Sequence, residues 1–301
     1  MDVIDKNILT DLLINCRTTY QEMALKYNLS ANAIKKRINN MISKGVIERF
    51  TVQLSLAMLD AEILMSIIYT DGTEDEEKFI EEIGTDPRFS AVGQASGNIY
   101  FAFAKYFNGT IGLSEVGSFI RKNVFVNSVE LHPLLVNRGN KTELSVTSLA
   151  IIKLLMENPR MPISEISNRS GITSRMVNTV INDLTSRGII LLSIDYSPGA
   201  GDVILFLEKI EWNDQKLKLD ELLAWLPQEF PEDYWIPAGI NAISPIAFCA
   251  FLSSSLKRIP EITKGIRKNP AVKAVTPIIG QPNKTFLDYS VLRLKELIRE
   301  I

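Results

Sequence analysis

The stretch that decides the fold runs from Ser30 to Gly45 and reads S-A-N-A-I-K-K-R-I-N-N-M-I-S-K-G. Ser30 suits a helix N-cap because its hydroxyl can accept a hydrogen bond from an early backbone N–H, and Gly45 suits a left-handed residue just after the helix. The helix between them has one apolar stripe, formed by Ile34, Ile38, Met41 and Ile42. Its opposite face is basic and rich in amides, with Asn32, Lys35, Lys36, Arg37 and Asn39. Such a face fits a DNA major groove, because Lys and Arg neutralise phosphates or read guanine and Asn reads adenine. The alternative is a solvated basic face on an ordinary surface helix.

The residues on either side of this helix favour the DNA-binding interpretation. Apolar spacing predicts a helix from Val3 to Asn15 and a second, short helix from Tyr20 to Tyr27. A short helix, a tight turn and a basic helix form a helix-turn-helix, in which the second helix of the pair enters the groove. After Gly45 the alternating run V-I-E-R-F-T-V-Q-L-S predicts a hairpin strand or wing. We expect Ser30 and the basic face to contact DNA, with Lys44 and Arg49 meeting its backbone.

The whole segment resembles the N-terminal winged helix-turn-helix of the Lrp/AsnC (leucine-responsive) transcription regulators. The residues that carry the resemblance are Ile4-Asp5, Leu12-Leu13, Arg17, Ala24, Leu29-Ser30, Lys35 to Ile38, and Gly45-Val46-Ile47. The resemblance implies a prokaryotic, archaeal regulator that binds double-stranded DNA in a sequence-specific way. It also implies association into a homodimer.

The segment is repeated later in the chain. Adding 143 to each residue number aligns residues 2–47 with 145–190 without a gap, so that Arg17 meets Arg160 and Gly45 meets Gly188. This predicts a second winged helix-turn-helix. Its groove-facing chemistry differs, because Asn178, Thr179 and Val180 stand where the first copy has Lys35, Lys36 and Arg37. The second copy therefore either reads DNA more weakly, through Arg175 and Asn178, or serves as an association surface.

The remaining segments predict two units of the order βαββαβ, a ferredoxin-like arrangement. The fold class is thus α+β, with two winged helix-turn-helix domains alternating with two ferredoxin-like domains. The predicted domains are 1–55 (DNA-binding), 61–136 (βαββαβ, of the effector-binding type), 145–196 (second winged helix-turn-helix) and 202–301 (second βαββαβ, with an added C-terminal helix). A four-stranded sheet with helices on one face leaves the other face uncovered, so we expect the two sheets to pack together within one chain, as a pseudo-dimer.

The resemblance also implies an effector site. In Lrp/AsnC regulators small molecules, often amino acids, bind near the turn between the second and third strands of the βαββαβ domain. The matching residues here are Ser96, Gly97 and Asn98, with a partner surface near Asn241–Ser244. The alternative is that Gly97-Asn98 is only a tight hairpin turn. A regulator without any effector would be an architectural DNA-binding protein.

Composition and charge fit this interpretation. Residues 1–55 hold 8 Lys/Arg and 5 Asp/Glu, whereas residues 56–136 hold 5 and 12, so the overall net charge of −2 conceals a basic first domain. No apolar run approaches the length that spans a bilayer, and the acidic N-terminus is unlike a signal peptide. Cys16 and Cys249 lack pairing or metal-ligand spacing. We therefore expect a cytoplasmic protein without metal or cofactor.

Catalytic motifs are scarce in the chain. The one histidine, His132, lies on a predicted strand, and no P-loop, G-x-S-x-G or H-E-x-x-H motif occurs. These observations predict that the chain is not an enzyme. One enzymatic alternative stays open through the resemblance. Siroheme decarboxylases are similar to the Lrp/AsnC family, and their two related subunits each pair a winged helix with a βαββαβ domain, so a fused tandem would look like this chain.

Overall fold

The computed structural model describes residues 1–280 and 283–299. The predicted second βαββαβ domain also includes Gln281, Pro282, Glu300 and Ile301, which lie outside the described residues. The chain divides into two compact units. One unit contains residues 62–136 and 197–286, and the other contains 2–61, 137–196 and the described residues from 287 onward. Each unit therefore brings together two copies of the same kind of domain.

The elements follow one another in the order that the sequence predicts. In the first half they are α1 (Val3–Ile14), α2 (Tyr20–Tyr27), α3 (Ala31–Ser43), β1 (Ile47–Leu54), β2 (Glu62–Thr70), α4 (Glu76–Gly84), β3 (Phe89–Ala95), β4 (Ile99–Tyr106), α5 (Thr110–Arg121) and β5 (Val126–Pro133). In the second half they are α6 (Val146–Glu157), α7 (Ile163–Ser170), α8 (Ser174–Ser186), β6 (Ile190–Tyr196), β7 (Ile204–Trp212), α9 (Leu219–Glu229), β8 (Tyr234–Ile240), β9 (Ile246–Ser253), α10 (Arg258–Arg267), β10 (Val272–Ile279), β11 (Lys284–Thr285) and α11 (Tyr289–Arg299).

Helix α3 begins and ends where the sequence predicts. The Ser30 hydroxyl accepts a hydrogen bond from the backbone N–H of Ala33 at 3.1 Å, which satisfies a donor at the open helix end. Gly45 follows the helix with φ of 75°, a conformation that a residue without Cβ adopts freely. The apolar stripe is buried, except that Ile42 is 41% exposed. Ile42 therefore lies at the edge of the stripe rather than inside the core.

The strands after the two recognition helices pair with each other. β1 lies antiparallel to β6, with Val52 opposite Leu192 and Leu54 opposite Ile190. The prediction of a hairpin wing is therefore wrong, because each strand pairs with the strand of the other repeat. The pairing satisfies backbone groups that a lone strand leaves open, and it buries apolar side chains of both strands. A two-stranded sheet thus joins the two winged helix-turn-helix copies.

Two equivalent arginines reinforce this junction. The Arg17 guanidinium donates to the backbone carbonyls of Pro159 and Met161 at 2.8 and 2.9 Å. Its counterpart Arg160 lies over the ring of Tyr20, with its guanidinium carbon 4.8 Å from the ring centroid. Each arginine therefore contacts the other repeat, as expected for two copies related by an approximate twofold axis.

The added helix α11 packs on this same unit. Ser290, near its start, accepts a hydrogen bond from the backbone N–H of Leu54 at 2.7 Å. The Ser290 side chain is fully buried, and so is Leu294 one turn later. Helix α11 therefore covers the end of β1.

Both sheets of the other unit have the ferredoxin-like strand order. The first sheet runs β11-β3-β4-β2-β5 and the second β10-β7-β9-β8. The two helices of each domain cover one face and form a separate apolar core, around Phe79 and Tyr100 in the first domain and around Phe206 and Phe251 in the second. The short edge strand β11, absent from the sequence predictions, extends the first sheet beside β3.

The helix-free faces of these two sheets are buried and contact each other. Met65 and Phe101 on the first sheet and Phe248 and Ala250 on the second are each no more than 5% exposed. The His132 ring lies 4.9 Å from the Phe248 ring, between centroids. The two βαββαβ domains therefore bury the faces that their own helices leave uncovered, by the mechanism that the sequence predicts. In the part of the chain that the structure describes, no helix has both the length and the apolarity to cross a membrane.

One acidic side chain lies inside the core of the second βαββαβ domain. Glu208 on β7 is fully buried, and its Oε1 accepts a hydrogen bond from the Thr263 hydroxyl at 2.5 Å. Its Oε2 has no hydrogen-bond partner among the described residues. Burial raises the pKa of Glu208 to about 7. The folded chain therefore keeps a proton on Glu208 that the unfolded chain releases at lower pH.

We expect Glu208→Gln to stabilise the protein at alkaline pH. Between the ordinary glutamate pKa of 4.5 and the folded pKa of about 7, stability falls as pH rises, because only the unfolded chain has released the proton. The uncharged glutamine removes this loss, so the free energy of unfolding should rise by about 3 kcal/mol at about pH 8 and by no more than about 1 kcal/mol at about pH 5. Denaturant unfolding at the two pH values measures it. Glu211→Gln, at a partly exposed position of the same strand, is the control, and an equal effect of Glu208→Gln at both pH values would contradict the assignment.

Candidate nucleic-acid interface

The basic face of α3 is exposed to solvent. Lys35 and Lys36 project from it, and neither forms an ion pair within the described residues. Asn32 is exposed in the first turn, directly after the Ser30 cap. This arrangement leaves two positive charges and one amide available at the start and middle of the helix that the helix-turn-helix presents to DNA.

The contacts of Arg37 differ from those expected from the sequence. Its Nη1 donates to Asp2 at 2.8 Å and to Asp5 at 2.7 Å, and the side chain is only 30% exposed. Asp2 caps α1, and Asp5 belongs to its first turn. Arg37 is therefore bonded inside the domain, unlike Lys35 and Lys36 on the same helix.

The two predicted backbone contacts flank the end of α3. Lys44 is exposed and forms the C-cap of the helix. Arg49, on β1, forms an ion pair with Asp195 of β6 at 2.5 Å. The arginine thus joins the paired strands, although 47% of its side chain remains exposed. Arg49 must give up or share this ion pair before it can neutralise a phosphate.

The second recognition helix, α8, keeps the geometry but little of the charge. Thr173 caps it, accepting from the backbone N–H of Met176 at 3.4 Å. Arg175 and Asn178 are both exposed, as the sequence predicts for groove-facing residues. The other arginine of this region, Arg187, forms an ion pair with Asp183 at 3.0 Å. Helix α8 therefore offers one guanidinium that no described carboxylate pairs, where α3 offers two ammonium groups.

The candidate effector turn is a tight hairpin at the contact between the two βαββαβ domains. Gly97 and Asn98 have φ of 79° and 59°, and Ser96, Gly97 and Asn98 are all exposed. The backbone N–H of Ser96 donates to the carbonyl of Ile279, on the last strand of the second domain, at 2.9 Å. The turn therefore touches both domains.

The partner surface expected for this turn lies elsewhere. The Asn241–Ser244 segment bonds to the end of β5, since the backbone N–H of Ala242 donates to the carbonyl of Pro133 at 2.8 Å. The Ser96 turn instead meets Ile279 and Gly280. The expectation that the Ser96–Asn98 turn and the Asn241–Ser244 segment form one site is wrong. Each of them contacts the last strand of the other domain's βαββαβ unit, at two separate places.

His132 belongs to a polar cluster between the two sheets. Its Nε2 lies 3.0 Å from a Glu130 oxygen, and its Nδ1 lies 3.0 Å from the side-chain nitrogen of Asn241. Lys209 of the second domain donates to the same Glu130 at 2.6 Å. Burial lowers the pKa of His132 despite the carboxylate beside it. Both ring nitrogens are thus engaged within the protein, which fits a structural role for this histidine.

Asn241 fixes the tautomer of His132. The Asn241 Oδ1 accepts from the backbone N–H groups of Ile243 and Ser244, so its amide nitrogen faces the imidazole. Nδ1 is then the acceptor, and the proton resides on Nε2, directed at Glu130. Among the described residues, no group of three His, Cys, Asp or Glu side chains is arranged to hold a metal ion.

Comparisons with known proteins support the winged helix-turn-helix assignment in both repeats. A family model described as winged helix-turn-helix DNA-binding matches residues 1–48 and 144–190. The chain is 28% identical to the uncharacterized HTH-type transcriptional regulator PH1692 of Pyrococcus horikoshii over 135 residues, which is 43% of this chain and 86% of that protein. It is 35% identical to the uncharacterized HTH-type transcriptional regulator PF1734 of Pyrococcus furiosus over 83 residues, which is 28% of this chain and 53% of that protein. The chain thus spans most of the first relative and about half of the second.

A different protein shares the fold over the whole length. Crystal structures of the siroheme decarboxylase NirDL, with and without an iron-uroporphyrin III analogue, each cover 99% of this chain and 99% of their own, with TM-scores of 0.55 and 0.53. The prediction that the chain is not an enzyme is contradicted by this match, because an enzyme shares the fold over the whole length of this chain. The sequence identities are 11% and 13%, so the likeness shows the fold alone.

The winged helix-turn-helix that the sequence predicts is thereby confirmed for both repeats. The exposed lysines of α3, the capped recognition helices and the two matched segments all agree with it. The chain therefore has two winged helix-turn-helix DNA-binding domains, in which it is similar to HTH-type transcriptional regulators, and two βαββαβ domains in one polypeptide.

Proposed function

We propose that this chain regulates transcription by sequence-dependent binding of duplex DNA through α3. The observation that carries the proposal is the pair Lys35 and Lys36, two exposed ammonium groups that no described carboxylate pairs, on the capped recognition helix of a matched DNA-binding segment. A free cation gains more from a phosphate than one that must leave a carboxylate. The two lysines therefore supply the sequence-independent attraction on which binding depends.

The base-reading role falls to the start of α3. Residues near the N-terminus of a recognition helix are those that reach base edges, and Asn32 is exposed there beside the Ser30 cap. An Asn amide pairs with adenine in the major groove. Lys44 lies at the far end of the helix, where a contact with the DNA backbone is expected. Arg175 and Asn178 of α8 would add a weaker second contact.

Removing the α3 lysines should weaken DNA binding in a salt-dependent way. Removal of one phosphate contact reduces the slope of log affinity against log salt by about 1, so Lys35→Ala with Lys36→Ala should reduce it by about 2. Asn32→Ala should instead cost about 1–3 kcal/mol on the preferred sequence and leave the slope unchanged. Fluorescence anisotropy of duplexes selected from genomic fragments measures both quantities.

Lys153→Ala provides the matched control for this experiment. Lys153 is an exposed lysine on α6, outside both recognition helices. Its loss removes one positive charge from the same unit and should leave affinity and slope close to those of the wild type. Lys36→Ala alone removes the same single charge and should reduce the slope by about 1. An equal reduction by Lys153→Ala would show attraction by overall charge, and the groove assignment would be wrong.

We further propose that the regulator responds to a small molecule, an amino acid or another metabolite, at the Ser96–Asn98 turn. The proposal rests on the resemblance to the Lrp/AsnC family. It is supported by the exposure of the turn and by its hydrogen bond to Ile279 of the second βαββαβ domain. A ligand at this turn would touch both domains and could bias their arrangement.

A thermal-shift screen of amino acids and central metabolites tests the effector proposal. A ligand at one hundred times its dissociation constant adds about 2.7 kcal/mol of stability, enough to raise the unfolding temperature by several degrees. Ser96→Arg should abolish the shift, whereas Ser244→Arg, in the equivalent turn of the second domain, should retain it. A shift that both variants keep would place the ligand elsewhere, and no shift with any compound would leave DNA binding alone.

A second candidate function is decarboxylation of a tetrapyrrole. The observation that favours it is the full-length fold shared with siroheme decarboxylase NirDL. The polar residues present fit it poorly, because both nitrogens of the chain's single histidine, His132, are bonded to Glu130 and Asn241. For His132 to act on a substrate, these bonds would have to break.

Siroheme itself distinguishes the second candidate from the first. A decarboxylase of this type would change the absorption spectrum of added siroheme until about one equivalent per chain is bound, and it would release carbon dioxide. His132→Ala should then reduce the release. If neither a spectral change nor carbon dioxide appears with ferrous or iron-free siroheme, this candidate is excluded for the chain.

A further inference from the structure

Arg37 joins the middle of α3 to the start of α1 through both acids of a capping box. In that box Asp2 Oδ1 accepts from the backbone N–H of Asp5 at 2.8 Å, and Asp5 Oδ2 accepts from that of Asp2 at 3.2 Å. Arg37 uses the other two oxygens, Asp2 Oδ2 and Asp5 Oδ1. Every carboxylate oxygen of the pair therefore has a partner, and the arginine bonds two residues whose positions are already fixed by the helix start.

The second repeat shows what happens when this arginine is absent. The residues equivalent to Asp2, Asp5 and Arg37 are Ser145, Ser148 and Val180. All three charged residues are replaced, whereas the cap survives, since the Ser145 hydroxyl accepts from the backbone N–H of Ser148 at 3.1 Å. The second repeat thus lacks both the arginine and the two acids that it binds, as expected if the three residues act together. We call Asp2, Asp5 and Arg37, with the ion pairs that join them, the Arg37 clamp.

The clamp has a direct consequence for the recognition helix. Lys35 and Lys36 immediately precede Arg37 on α3, so the rotation of α3 about its axis decides which way their side chains project. An ion pair to the fixed start of α1 restrains that rotation. Apolar contacts of Ile34 and Ile38 alone allow small rotations at little cost, because they are not directional.

We propose that Arg37 is a positioning residue, which orients Lys35 and Lys36 for DNA by binding Asp2 and Asp5 and does not itself contact DNA. This inference rests on the proposed DNA-binding function. It reverses the expectation from sequence, in which Arg37 belongs to the reading face together with its two neighbours.

Four variants of the full chain test the proposal: Arg37→Met, Asp2→Ser with Asp5→Ser, the triple Asp2→Ser/Asp5→Ser/Arg37→Val, and Lys36→Ala. If Arg37 positions the helix, the first two variants should each weaken DNA binding by about two- to fivefold, as expected for a partly exposed ion pair. Neither should change the salt slope, whereas Lys36→Ala should lower it by about 1. The triple variant lacks the same ion pair and should bind about as weakly as the first two variants, because residues that act through one interaction do not have additive effects.

A DNA-reading Arg37 gives the opposite pattern. Removing Asp2 and Asp5 would then free the arginine and tighten binding, Arg37→Met would lower the salt slope by about 1, and the triple variant would bind more weakly than the double aspartate variant. Any of these three results would overturn the proposal. The double aspartate variant is the most discriminating, because the two hypotheses predict changes of opposite sign.

A second measurement tests the Arg37 clamp independently of DNA binding. Amide hydrogen exchange of α1 and α3, followed by mass spectrometry without DNA, should be faster in Arg37→Met and equally fast in the triple variant. Unchanged exchange in Arg37→Met would refute the clamp. If the wild type binds no duplex at all, the proposed function fails, and the exchange result still decides whether Arg37 restrains α3.

Discussion

The antiparallel pairing of β1 with β6 is the interaction on which the winged-helix unit depends. A single strand after a recognition helix exposes a row of unpaired backbone groups, and each copy here has only one such strand among the described residues. The two strands satisfy each other, and Arg17 and Arg160 add reciprocal contacts across the junction. The two recognition helices are therefore held in one unit by backbone hydrogen bonds, and neither strand remains free to act as a wing on DNA.

The sequence alone predicts the features that depend on local chemistry, such as the ends of helices. Ser30 and Gly45 delimit α3, and the offset of 143 residues reveals the duplication. What could not be predicted is which groups meet across the chain. The alternation of apolar and polar residues in Ile47–Leu54 predicts a strand, but it does not predict which strand pairs with it, because every strand presents the same backbone groups. The sequence predicts that Arg37 shares the basic face with Lys35 and Lys36, whereas its hydrogen bonds to Asp2 and Asp5 follow only from the positions of those residues in space.

The same limitation applies to the sites between the βαββαβ domains. Gly97-Asn98 predicts a tight turn, and the structure has one, but its contact with Ile279 depends on the packing of two sheets. Likewise the sequence shows His132 only as a single histidine on a strand. Its contacts with Glu130 and Asn241, and that of Lys209 with Glu130, appear only in the structure. The fold itself serves enzymes and regulators alike, so function here must be argued from side chains: the exposed lysines on α3 and a histidine between the sheets with both ring nitrogens bonded.

The alternation of the chain between two units has a consequence for its synthesis. β1 ends at Leu54 and its partner begins at Ile190, so the ribosome must add more than a hundred residues before the pair can close. At about 5–20 residues per second this takes on the order of ten seconds, during which β1 has an open edge and the first βαββαβ sheet an uncovered apolar face. Nascent chains on one messenger are close together in that interval, and each displays the surface that its neighbour needs. Because both partners lie in one chain, the pairing of the finished protein does not depend on protein concentration. The risk of mispairing is instead highest during translation, before the second partner has been made.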